Sequence, residues 1–214
     1  MKRNWKWKLA QQAEFKWWQG YLRKKEVGEY LEKKKIYWDR VLAEISPFIH
    51  LQNKAEILDA GCGPAGIFMN LQNYQVSAID PLLEKYKLLA HFKPADYPWV
   101  NFIQAPIEAI DYFEKFDAIF CLNAINHVND INSCYDKLVR ALKPGGTLVI
   151  STDTHRNNTL KKIFQWIPGD ILHPMQYNLS EYNEMLTSRS VTLIKDILFK
   201  REAIFDYYIT IAKK

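Results

Sequence analysis

Ile57-Leu58-Asp59-Ala60-Gly61-Cys62-Gly63 decides how this chain of 214 residues is read. Three apolar residues, Ile57, Leu58 and Ala60, around one acid have the near-continuous hydrophobicity of a strand buried on both faces. The glycines that follow continue as Gly61-Cys62-Gly63-Pro64-Ala65-Gly66, which satisfies GxGxxG. Alone, that spacing is a weak signal shared by several nucleotide-binding folds. Here it follows a buried strand and precedes a helix-like stretch, so the glycines let the backbone turn sharply and approach a ligand. The opening of the next element would then present unpaired amide donors.

Working outward, short apolar runs recur at 76–79, 100–103, 117–122 and 147–151, besides 56–60 itself. Helix-like stretches separate them, at 64–71, 82–92, 107–113 and 131–142. This alternation predicts right-handed crossovers and an open, Rossmann-like, mostly parallel α/β sheet with helices on both faces. The end of the chain differs. Two β-rich runs, 191–199 and 203–211, are separated only by Lys200, Arg201 and Glu202, too few for a crossover, and predict an antiparallel hairpin. Seven strands result. Between the fifth strand and the hairpin lie an expected helix (160–166) and an irregular insert at about 167–180 with two prolines and His173.

The first 45 residues predict two helices with a break between Gly20 and Gly28, Phe15, Trp18 and Leu22 marking one face and Tyr30, Lys34, Tyr37 and Val41 the other. Ser46-Pro47 ends the second, because proline disfavours helix in the residue before it. The expected organisation is therefore an N-terminal arm or lid, 1–45, on a domain spanning 46–214. Charge follows the same division. Residues 1–40 hold 12 Lys and Arg against 5 Asp and Glu, and the remainder 17 against 19. The basic start never supplies the apolar run of a secretory signal, nor does the chain supply a membrane span of roughly 18 apolar residues. Three cysteines at irregular spacing offer no zinc or dithiol pair, so a cytoplasmic protein with reduced thiols and no metal is expected.

Asp80 ends the second strand, 19 residues after Gly61, placed to accept hydrogen bonds from ribose hydroxyls. NAD and S-adenosylmethionine (SAM) fit that geometry equally. Asp59 separates them: a dinucleotide brings a pyrophosphate to this turn, and a carboxylate beside it would repel it in a poorly solvated site. SAM carries a sulfonium and an ammonium instead, and a closing antiparallel strand is foreign to the simple dinucleotide fold. SAM is the expected cofactor.

From Ile57 onward the chain resembles the class I SAM-dependent methyltransferase family. Residues 57–63 resemble its first motif, Ala78-Ile79-Asp80 its acidic second, Phe116 to Asn123 its fourth-strand motif, and Leu142-Lys143-Pro144-Gly145-Gly146-Thr147-Leu148 the turn into the fifth strand. Ala124-Ile125-Asn126-His127-Val128 resembles the following helix start. The resemblance implies that Asp59, Gly61 and Gly63 line the methionine part of SAM, with Ala60 and Cys62 between them. It places Asp80, followed by Pro81, at the ribose, and Asn123, Ala124 and His127 at the edge of methyl transfer. The chain departs from the family in having Ala105-Pro106-Ile107 where Gly-Asp-Ala is common. Backbone groups at Pro106 and packing by Ile107 are the expected adenine contacts.

Methyl transfer is an in-line displacement that needs alignment, with a general base only where the acceptor must lose a proton. His127, His155 and His173 lie beyond the carboxyl ends of the strands, and His173 and His127 are the candidate bases. The acceptor is expected to be a small molecule, lipophilic or aromatic. Three readings compete for the arm: a lid placing Trp17, Trp18 and Tyr21 on the substrate side with His155 and His173, an RNA-binding surface, or a peripheral membrane contact. The lid is preferred, because methyltransferases of this class often vary in this region; RNA binding is disfavoured because the positive face is modest and the rest of the chain is slightly acidic. An RNA methyltransferase, a SAM-binding protein without catalysis and an NAD-dependent oxidoreductase are the alternatives.

Overall fold

The computed structural model describes residues 5–155, 177–201 and 205–214. The expected helix at 160–166 lies outside them, as do His173 and most of the insert. One seven-stranded sheet organises the chain, in the order β3-β2-β1-β4-β5-β7-β6. Its strands are β1 (Glu56–Ala60), β2 (Gln75–Ile79), β3 (Val100–Ile103), β4 (Phe116–Cys121), β5 (Leu142–His155), β6 (Thr192–Arg201) and β7 (Phe205–Lys213). The first five pair in parallel, and β7 runs antiparallel between β5 and β6. The predicted hairpin is present. β5 is far longer than the expected 147–151, because it pairs with β4 from Leu142 and with β7 along Thr147 to His155.

Adjacent strand residues face opposite ways, so the core has two halves. Ile57, Ala118, Phe120 and Val149 point to one side, and Leu58, Ile119, Cys121 and Ile150 to the other. On the second side lie α4 (Ile131–Ala141) and α5 (Leu179–Thr187). Asp130 starts α4 by accepting from the Ser133 amide at 3.1 Å, a helix N-cap.

The first side is covered by the arm. α1 (Trp5–Leu22) runs through Gly20 without breaking, and α2 (Val27–Ile45) begins where the Glu26 carboxylate accepts from the Gly28 and Glu29 amides. Tyr30, Trp38, Val41 and Ile45 of α2 are buried in the same cluster as Ile57, Phe68 and Phe120. The Trp38 indole donates to the Ala65 carbonyl at 2.9 Å, and the Asn70 amide to Asp39 at 2.6 Å.

Three predicted crossover helices are not formed at their expected length. The stretch 64–71 holds only a 3-10 turn, Ile67–Asn70; 82–92 only one helical turn, α3 (Leu83–Tyr86); and 107–113 only the 3-10 turn Ile107–Ala109. After β1, the Phe68 amide donates to Asp59 at 3.1 Å, and its carbonyl accepts from the Trp99 indole at 3.0 Å as well as from the Leu71 amide of the 3-10 turn at 3.3 Å. α2 occupies the face a crossover helix would cover. No described helix is long and apolar enough to cross a membrane.

Candidate functional site

The chain runs from β1 outward to β2 and β3, then returns to place β4 on the other side of β1. Ligands gather beyond the carboxyl ends of strands at such a reversal. A cleft of about 860 Å³ of empty space opens there. Its walls come from the turns after β1, β2, β3 and β4 and from both arm helices.

The glycine turn forms the floor. Gly61 has φ +76°, and a Cβ on it would stand 2.3 Å from the Ala124 Cβ, so glycine is what lets the turns after β1 and β4 meet. Gly66 is equally confined: its Cβ would fall 2.6 Å from an Asp59 oxygen and 2.4 Å from the Cys62 carbonyl. Asp80 ties the turn to β2, one oxygen accepting from the Gly63 amide at 3.0 Å and the other from Leu82 at 2.8 Å. Across the cleft Asn123 sits in the left-handed region at φ +55°, its amide donating to the Ser151 hydroxyl at 2.8 Å. Glu108, on the wall after β3, accepts from the Asn129 amide at 2.7 Å and so holds the approach to α4.

Electrostatics single out three acids. Asp59 and Asp80 are both buried, and burial pushes each carboxyl up to about 7; Asp80 adds to the shift of Asp59, and Glu14 to that of Asp80. Glu14, on α1, is itself raised by burial, and the Gln11 amide donates to it at 3.2 Å. The Tyr86 hydroxyl approaches the same carboxyl without reaching hydrogen-bonding geometry. No ion pair among the described residues compensates any of the three. The Cys62 thiol in the same floor is driven far above its usual range by burial and by these acids.

Of the expected cofactor residues, Asp59, Gly61, Cys62, Gly63, Asp80, Pro81, Pro106, Ile107, Asn123, Ala124 and His127 line this cleft. Ala60 does not: it is fully buried in the sheet beneath. Trp18 lines it, its ring 4.0 Å from where a Gly63 Cβ would be. Trp17 and Tyr21 stand outside, half exposed and stacked on each other at 5.0 Å. His155 ends β5 opposite Phe205, and only its backbone is described.

Sequence reasoning missed Trp7, Gln11 and Glu14 of α1, and Lys34 and Trp38 of α2 as lining residues. The signal was present in α1. Positions 7, 11, 14 and 18 repeat at i, i+4, i+7 and i+11, one face of a helix, and that face carries two polar groups between two tryptophans. Among the described residues no group of three or more His, Cys, Asp and Glu side chains is placed to hold a metal ion.

Comparison with known proteins agrees with this geometry. Residues 58–150 match a family model described as a methyltransferase domain. The ubiquinone biosynthesis O-methyltransferase of Rickettsia prowazekii is 30% identical over 162 residues, covering 69% of this chain and 63% of that protein. The enzyme of the same name from Rickettsia akari is 28% identical over 151 residues, covering 66% and 60%. The chain thus spans about three fifths of the length of these curated relatives. Among solved structures, the 1,6-didemethyltoxoflavin-N1-methyltransferase of Burkholderia thailandensis, bound to 1,6-didemethyltoxoflavin and S-adenosylhomocysteine, has a TM-score of 0.67. It is 18% identical, covering 100% of this chain and 91% of that one, so the likeness is one of fold.

Proposed function

We propose that this chain is a class I SAM-dependent methyltransferase that transfers a methyl group to an oxygen of a small, lipophilic, aromatic acceptor. The observation that carries this is the set of acids around the glycine turn, the buried Asp59 and Asp80 and the half-buried Glu14, with no ion pair to any of them among the described residues. Buried acids held near neutrality suit a ligand bearing sulfonium and ammonium charges and disfavour a pyrophosphate. The turn fits such a ligand too, because the bare Gly61 and Gly63 leave its backbone open to close approach. The choice of oxygen and of a quinone-like acceptor draws on the names of the Rickettsia relatives.

When bound, SAM supplies an electrophilic methyl group on sulfonium. The residues of this chain hold and orient. Asp59 and Gly61 to Gly63 receive the methionine part, Asp80 the ribose and Ile107 the adenine. α1 acts as the lid, its Trp7–Gln11–Glu14–Trp18 face turned into the cleft to exclude water. His127 lines the cleft beside Asn123 and Ala124 and is assigned the acceptor proton; His173 lies outside the described residues. Three free, buried cysteines suit a cytoplasmic enzyme.

Titration calorimetry tests the cofactor: binding of SAM and S-adenosylhomocysteine without NADH is expected, and tight NADH binding with none for SAM would overturn the reading. Catalysis is tested by transfer of a labelled methyl group from SAM to a phenol carrying a short isoprenoid tail. A protein that binds SAM and never methylates such a probe would be a binding protein only. His127→Ala should lower kcat roughly 100-fold, the usual worth of a positioned base, while leaving cofactor affinity in place.

A further inference from the structure

Among the described residues that line the cleft, Lys34 alone carries a lysine or arginine side chain. It projects from α2, its ammonium 4.9 Å above the Trp38 ring and 5.1 Å above the Tyr37 ring. Trp38 is itself pinned to the glycine turn through the Ala65 carbonyl. The amine therefore sits over a ring that is anchored to that turn. Burial lowers it to about 8, and no carboxylate contributes to its titration. Nor does Lys34 influence Asp59, Asp80 or Glu14, so the cleft keeps its cation apart from its acids.

A partly desolvated ammonium with no anion is costly unless a ligand brings one. Ring faces return part of that cost, but they satisfy none of its three N–H donors as a carboxylate would. A cleft whose described lining holds acids and one lysine that is not paired with them suits a zwitterion. The amino-acid end of SAM is one: an α-ammonium and an α-carboxylate joined by one carbon.

Resting on the cofactor reading above, we propose that Lys34 binds the α-carboxylate of the methionine part of SAM. The arm then binds cofactor through both helices, Glu14 and Trp18 from α1 and Lys34 from α2. The proposal concerns affinity for one end of the cofactor and leaves adenosine recognition to the strand-end turns.

That division sets the test. Calorimetry compares S-adenosylhomocysteine with 5′-methylthioadenosine, which keeps adenine, ribose and sulfur and lacks the amino-acid end. Lys34→Met should weaken S-adenosylhomocysteine roughly 10- to 100-fold, the range of a lost charge-assisted hydrogen bond, and change 5′-methylthioadenosine by less than about twofold. Lys34→Arg should restore most of the loss. Within the unaltered protein, S-adenosylhomocysteine with its carboxylate converted to an amide should bind as weakly as the acid binds to Lys34→Met, a measurement that does not depend on the variant folding. Equal weakening of both ligands, or no weakening of S-adenosylhomocysteine, would overturn the role of Lys34 alone. An unaltered protein that binds neither ligand would overturn the cofactor reading with it.

Discussion

Gly61 and Gly145 share almost the same backbone, with φ +76° and +77°, and differ in what surrounds them. A Cβ on Gly145 meets nothing within 4 Å, whereas on Gly61 it meets the Ala124 Cβ at 2.3 Å. Alanine at Gly145 should therefore cost only the left-handed conformation, about 1–2 kcal/mol. Alanine at Gly61 adds overpacking against a side chain that cannot swing away, for a total of about 2–5 kcal/mol. Urea unfolding of the two variants measures the difference directly, and equal losses would mean that the contact with Ala124 is unimportant. Both glycines were legible in the sequence as turn formers. Their unequal surroundings were not, because Ala124 is 63 positions away from Gly61 and meets it only once β1 and β4 lie side by side. Asp59 shows the same limit. Its place before the turn was readable, but its bond to the Phe68 amide depends on the folded turn.

The helices that sequence periodicity marked most clearly, α1, α2 and α4, are present, and so are all seven strands. What periodicity could not reveal is competition between helices for one face of the sheet. The stretch 64–71 has helical spacing, but α2 already covers its side, with Trp38 and Asp39 bonded to Ala65 and Asn70. This gives the two arm helices different duties. Removing residues 1–20 takes away the Trp7–Gln11–Glu14–Trp18 face but keeps Leu22, whose side chain belongs to the core. The truncated protein should still unfold in one cooperative urea transition, at a lower midpoint because Phe15 and Trp18 no longer pack on the core, and should lose at least roughly tenfold in cofactor affinity, the worth of one buried charged contact. Trp38→Ala should behave in the opposite order, costing about 3–5 kcal/mol of stability as a buried tryptophan emptied from the core. Retention of full cofactor affinity by the truncated protein, measured by calorimetry, would remove α1 from the site.

Charge over the whole molecule is divided between a basic arm and a nearly balanced body, yet the acids that matter most for its energetics are the buried pair Asp59 and Asp80. Each titrates near 7 in the folded chain and near 4 when unfolded, so between those values the native state holds more protons than the unfolded one. The stability they contribute is fully present below about pH 4 and is lost as pH rises through 7. Other carboxylates oppose this at the acid end: Asp117, paired with Lys143 at 2.8 Å, is held below its usual range and loses its contribution as pH falls. The ligand-free protein should therefore lose thermal stability from pH 6 to pH 8. A cationic cofactor reverses the sign, because it favours the ionised acids and so binds more tightly above pH 7 while releasing protons below it. The rise in melting temperature on adding S-adenosylmethionine should grow across the same interval in which the free protein weakens. Asp59→Asn, which keeps an acceptor for the Phe68 amide and cannot ionise, should flatten both trends together. Scanning fluorimetry at pH 6, 7 and 8 with and without cofactor reads all of this, and a cofactor-induced shift independent of pH would mean that these acids do not face the ligand's charge.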